Sequence, residues 1–122
     1  MKYRIALIED NKDIVEALHI IFESSGYDCL SITDSQNIAE RVSAYEPHLI
    51  VLDALLSGTD GQTVARDLRM RKETKKSPIL LISAHPAVEK IARETHVDDY
   101  IPKPFDINTL LGKIRKLLKN KE

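Results

Sequence analysis

Short apolar runs of strand length alternate along this chain with longer stretches of helical spacing, and that alternation constrains the fold more than any other feature. The runs occupy 3–9, 27–32, 49–53, 78–83 and 99–102, and they are too short to be buried helices. Between them the period changes. Ile14, Ala17, Leu18 and Ile21 fall at i, i+3, i+4 and i+7, with Gly26 as a stop, and Val88, Ile91, Ala92 and Thr95 repeat the spacing. Leu110, Ile114, Leu117 and Leu118 keep to one face behind Asp106, a candidate N-cap. Segments 35–45 and 61–72 complete a set of five helices. Five strands alternating with five helices imply a parallel sheet, because each crossover returns the chain to the same end. The unbroken apolar character of LIVL and ILLI suits central strands covered on both faces. With right-handed crossovers, the expected fold is a doubly wound α/β structure of flavodoxin-like (βα)5 type, strand order 2-1-3-4-5.

A length of 122 residues suits one compact core, so a single domain over 1–122 is expected. With 18 basic and 19 acidic side chains, the near-zero net charge gives no reason to expect direct nucleic-acid binding. The basic run RMRKETKK, from Arg69 to Lys76, lies where a helix ends, so dipole placement and solvation account for it. No apolar stretch reaches the roughly 20 residues of a membrane helix, and MKYRIALIED lacks a secretory cleavage site. The single Cys29 is expected to be a buried structural thiol, and a cytoplasmic location fits. His19, His48, His85 and His96 show no metal-ligand spacing.

In such a sheet the strand C-termini share one edge, and ligands bind there near the switch in strand order. Strand one delivers Glu9 and Asp10 to that edge, strand three Asp53, strand four Ser83 and strand five Lys103. Crowded carboxylates repel, so a cation or a proton must offset their charge. Hard oxygen ligands without His or Cys suit Mg²⁺. A carboxylate is also a nucleophile toward phosphorus, and Asp53 in that role would leave Lys103 and Mg²⁺ to neutralise a phosphoryl group while Ser83 bonds one of its oxygens. Taken singly, each residue has a plainer reading: Glu9-Asp10 as a solvated strand end and helix cap, Asp53 as a turn residue, Lys103 as a surface lysine. Joint placement at one edge favours the chemical reading.

These residues resemble those of the receiver domains of two-component response regulators, and the resemblance covers essentially the whole chain. It implies that Glu9 and Asp10 form an acidic pair for Mg²⁺, with Asp53 and the carbonyl of Leu55 as further ligands. Asp53 would accept a phosphoryl group from a histidine kinase or phosphotransfer protein. Ser83 matches the hydroxyl switch position, Lys103 the active-site lysine ahead of a cis bond to Pro104, and Tyr100 the aromatic switch position. Thr59-Asp60-Gly61 matches the motif closing the loop after the phosphorylated strand. The family usually carries Met-Pro where this chain has Leu56-Ser57, so the loop lacks its customary proline. Leu55 and His85 flank the line of water attack, and an apolar Leu55, unable to orient water, is expected to make hydrolysis of the phosphoryl group slow. Output is expected through the face of the fourth helix, fifth strand and fifth helix, which would dock a downstream protein or output domain or form a homodimer. The sequence ends at LLKNKE, which leaves open a stand-alone receiver or a piece of a longer regulator.

Other classes fit less well. Phosphohydrolases with an Asp nucleophile usually place a second Asp where Leu55 stands. Flavin binding needs a first loop that cradles phosphate, and EDNKD would repel it. A receiver-like binding module that is never phosphorylated would not need the full set of site residues.

Overall fold

The computed structural model describes residues 2–119; Met1 and 120–122, the ends of the expected 1–122 domain, lie outside the described residues. Seven strands and five helices follow in the order β1 (Arg4–Ile8), α1 (Lys12–Ser24), β2 (Asp28–Ile32), α2 (Ile38–Tyr45), β3 (Leu49–Asp53), β4 (Leu55–Leu56), β5 (Thr59–Asp60), α3 (Gly61–Arg69), β6 (Ile79–Ser83), α4 (Val88–Thr95), β7 (Asp99–Pro102) and α5 (Ile107–Lys119). The main sheet is parallel, in the order β2-β1-β3-β6-β7. Setting aside the small β4–β5 hairpin, this is the expected 2-1-3-4-5 arrangement.

Alternation along each strand sends residues to opposite faces. Ile5, Leu7, Leu49, Val51, Leu80 and Ile82 pack with Val15, Leu18 and Phe22 of α1 and with Leu110, Ile114 and Leu118 of α5. Ala6, Ile8, Ile50, Leu52, Ile79 and Leu81 meet α2, α3 and α4 through Ile38, Val42, Val64, Leu68, Val88 and Ala92. β3 and β6 are buried along their whole length, which explains their lack of polar alternation.

Local chemistry sets the helix ends. Asn11 caps α1 by accepting from the Asp13 and Ile14 amides, and Gly26, at φ +93°, follows its last turn. Asp106 accepts from the Thr109 amide ahead of α5, as expected of an N-cap. Two helices are shorter than their expected spans. Asn37 adopts φ +50°, which a right-handed helix cannot accommodate, so α2 begins at Ile38 rather than at residue 35. Beyond Arg69 the chain leaves α3 in a turn that Thr74 closes by donating its hydroxyl to the Leu68 carbonyl at 2.6 Å, so the helix stops short of residue 72. Cys29 is half-buried rather than buried, and desolvation pushes its thiol up to about 11.

The β4–β5 hairpin has no counterpart in the sequence reading, because two-residue strands carry no periodicity. It is antiparallel, pairs Leu55 with Asp60, and turns through Ser57 and Gly58, the latter at φ +84°. Its end returns to the sheet through Gly61, whose amide bonds the Ala54 carbonyl at 3.0 Å. A Cβ at Gly61 would stand 2.7 Å from both Ala54 Cα and the Asp53 carbonyl oxygen. Since the obstacle is backbone, Gly61→Ala is expected to cost about 2 kcal/mol or more. Urea unfolding of the variant beside the native protein measures that loss.

Candidate functional site

The parallel register carries the acids to one place. Ile8 is paired with Leu52, so the next residues along β1 and β3, Glu9 and Asp53, stand side by side at the sheet edge. Both are buried, Glu9 to 1% and Asp53 to 4% exposure, while Asp10 is half-buried. One carboxylate oxygen from each of the three lies within 4.8 Å of the others. The plainer reading of Glu9-Asp10 as a solvated end and helix cap does not hold here, because Glu9 is shielded and Asn11 does the capping.

Lys103 enters from the loop after β7, ahead of a cis peptide bond to Pro104. Its backbone amide bonds the Ser83 carbonyl at 2.8 Å, which ties the loop to the end of β6. Its ammonium donates to Glu9 Oε1 and, at 2.9 Å, to Asp53 Oδ2. Burial, together with Asp53, raises the Glu9 carboxyl to about 7 against the pull of Lys103. Burial by itself would lower the Lys103 ammonium, but the Glu9 and Asp53 carboxylates outweigh it and hold it up.

Two backbone amides complete the cluster. Leu55 N–H donates to Asp53 Oδ1 at 2.9 Å, and Ser57 N–H donates to Asp10 Oδ2 at 2.8 Å. Hydrogen bonding from Ser57 holds the Asp10 carboxyl below its ordinary value. Sequence reasoning missed both contacts, since a backbone donor leaves no mark in residue type.

The other expected site residues surround this centre. Ser83 is fully buried at the end of β6, and its Oγ accepts from His85 N–H at 3.0 Å. Leu55 begins the hairpin with an exposed side chain. His85 turns its Nδ1 to the Ala87 amide at 2.9 Å. Tyr100 stands apart from the acids: half-buried on β7, it packs against the apolar cluster beneath α2, α3 and α4. Burial and the neighbouring Glu89 carboxylate push its hydroxyl up. Thus Glu9, Asp10, Asp53 and Lys103 meet directly, with Ser83 at the adjoining strand end.

Three carboxylates against one ammonium leave an excess of negative charge in a largely shielded pocket. The donors are all carboxylate oxygens, so the cluster fits a hard divalent cation such as Mg²⁺.

Residues 5–115 match the family model of the response regulator receiver domain. The DNA-binding dual master transcriptional regulator RpaA of Synechocystis is 32% identical over 118 residues, covering 95% of this chain and 49% of that protein. The chain therefore spans about half the length of this curated relative. Among solved structures, the BeF3-activated receiver domain of Klebsiella pneumoniae RstA superposes with a TM-score of 0.84 at 26% identity, covering 94% of this chain and 97% of that one. The receiver domain of the Pseudomonas aeruginosa sensor histidine kinase PA1611, which holds a magnesium ion in its active-site cleft, shares the fold with a TM-score of 0.88 at 21% identity, covering 98% and 99%.

The raised Glu9 carboxyl predicts a pH dependence for the metal-free protein. Folded Glu9 binds its proton more tightly than unfolded Glu9, so its contribution is complete below pH 4.5 and is lost as pH rises through about 7. The full span is on the order of 3 kcal/mol. Urea unfolding in EDTA at about pH 5 and about pH 8 should show this fall in the native protein and a flatter profile in Glu9→Gln.

Proposed function

The chain belongs to the response regulator receiver domain family, and from that premise we propose that it is a phosphorylation-controlled switch with Asp53 as its phosphoacceptor. The observation that carries this reading is the setting of Asp53: buried at a central strand end, with a carboxylate oxygen within 4.8 Å of oxygens of Glu9 and Asp10, and 2.9 Å from the Lys103 ammonium. A carboxylate so placed has its orientation fixed by Leu55 N–H on one oxygen and Lys103 on the other.

In the transfer, an Asp53 oxygen forms the bond to phosphorus while the donor's phosphorus–nitrogen bond breaks, its electron pair leaving on the imidazole nitrogen. Lys103 balances the charge that arrives. Ser83 accepts its hydrogen bond from His85 N–H, so its own O–H is available to donate to a phosphoryl oxygen. Glu9, Asp10, Asp53 and the Leu55 carbonyl would hold Mg²⁺, which when bound neutralises phosphoryl charge.

The donor would be a histidine kinase or phosphotransfer protein. An apolar cavity of about 400 Å³ beside the site supports its docking: Ile14, Ala17 and Leu18 of α1 form one wall, and Pro104, Phe105 and Ile107 the other, with Lys103 lining it too. The readout would be a shift on the α4–β7–α5 face, where Tyr100 is half-buried and Lys113 pairs with Asp99 at 3.0 Å. That face would engage a downstream protein or output domain, or a second copy of the chain. Among the described residues no helix is long and apolar enough to cross a membrane, which is compatible with action in the cytoplasm beside a kinase.

Incubation with Mg²⁺ and a small-molecule phosphodonor should add one phosphoryl group by intact mass, lost in Asp53→Asn and on addition of EDTA. A folded native protein that binds Mg²⁺ yet gains no mass would favour a binding module. The exposed Leu55 side chain offers no polar atom to orient an attacking water. Leu55→Asn is therefore expected to shorten the phosphoryl lifetime about tenfold, followed as loss of the mass increment over time; an unchanged lifetime would remove Leu55 from this role.

A further inference from the structure

Ser57 is exposed at the turn of the β4–β5 hairpin, yet its amide reaches back to the end of β1. The Ser57 N–H donates to Asp10 Oδ2 at 2.8 Å, joining residues 47 apart in sequence. On its other side the same turn runs close to the loop ahead of α2, where a Cβ at Gly58 would meet Ser35 Oγ at 2.7 Å. The turn thus lies between that loop and Asp10. Both partners of the Ser57 bond carry something the candidate cation site needs: Asp10 supplies a carboxylate, and the hairpin supplies Leu55, whose amide also holds Asp53.

We infer that Ser57 is a positioning residue for the cation, its amide orienting Asp10, and through the hairpin Leu55, before the ion arrives. The inference rests on the reading of Glu9, Asp10 and Asp53 as a Mg²⁺ site. An Asp side chain free to rotate loses that freedom when it takes an ion, whereas one already fixed loses little. The hydrogen bond draws some electron density from the carboxylate, an opposing effect. One neutral donor leaves the full negative charge in place and a second oxygen free, so the gain in order outweighs it. A proline at 57 would remove this bond, because it has no N–H to donate.

Calorimetric Mg²⁺ titration of the native protein, Ser57→Ala and Ser57→Pro tests the inference, with circular dichroism to establish that each is folded. Alanine keeps the amide and should bind Mg²⁺ within about twofold of native, whereas proline should weaken binding about fivefold. Equal affinity in all three, or equal weakening by alanine and proline, would overturn it while leaving the Mg²⁺ site standing. A native protein that does not bind Mg²⁺ would overturn the site and the inference together. Should Ser57→Pro fail to fold, amide hydrogen exchange decides: the Ser57 amide should be protected in the native protein and exposed in Asp10→Ala, and equal protection in both would overturn the inference.

Discussion

Lys103 bridging Glu9 and Asp53 is the contact on which the site depends, because two carboxylates shielded from water cannot both ionise without a cation between them. The contact works in two directions. It keeps Asp53 flanked by positive charge, and it pulls against the burial and the Asp53 carboxylate that together raise the Glu9 carboxyl to about 7. Around that bridge the site has more negative than positive charge, which is the condition under which a divalent ion is held by acids alone. Within it, Asp53 is held on one oxygen by the Leu55 amide and on the other by Lys103.

The bridge in turn needs the sheet. Parallel pairing lines up Glu9 and Asp53 by register, and the tie from the Lys103 amide to the Ser83 carbonyl fixes where the ammonium starts from. Apolar packing on both faces makes those strands stiff: β3 and β6 are wholly buried, with α1 and α5 on one side and α2, α3 and α4 on the other. Strand ends held by such a core present side chains with little freedom, so the geometry at the edge is paid for by the core beneath it.

Much of this was legible in the residues. Continuous apolar runs at 49–53 and 79–83 read as central strands because both of their faces are covered, and the amphipathic spacing of α5 survived into packing at Leu110, Ile114 and Leu118. In α1 the buried face is instead Val15, Leu18 and Phe22, so that of the expected Ile14, Ala17, Leu18 and Ile21 only Leu18 is fully buried. Helix limits were less legible. The left-handed backbone at Asn37 and the hydroxyl of Thr74 that closes the turn after α3 act against a spacing pattern that by itself would continue. The hairpin after Asp53 escaped notice for a related reason, since two-residue strands are too short to express a period.

By itself, the sequence determined the alternation of strands and helices, the parallel sheet, and the arrival of three acids, a hydroxyl and a lysine at one edge. Those follow from side-chain type and spacing, which are local and periodic. Tertiary structure decided how the groups divide their work: Glu9 shielded and shared with Asp53 on Lys103, Asp10 released from capping by Asn11 and held by Ser57, Asp53 oriented by Leu55. These depend on burial and on backbone amides brought from distant parts of the chain, and an amide has the same chemistry in every residue but proline. Only folding assigns it a partner.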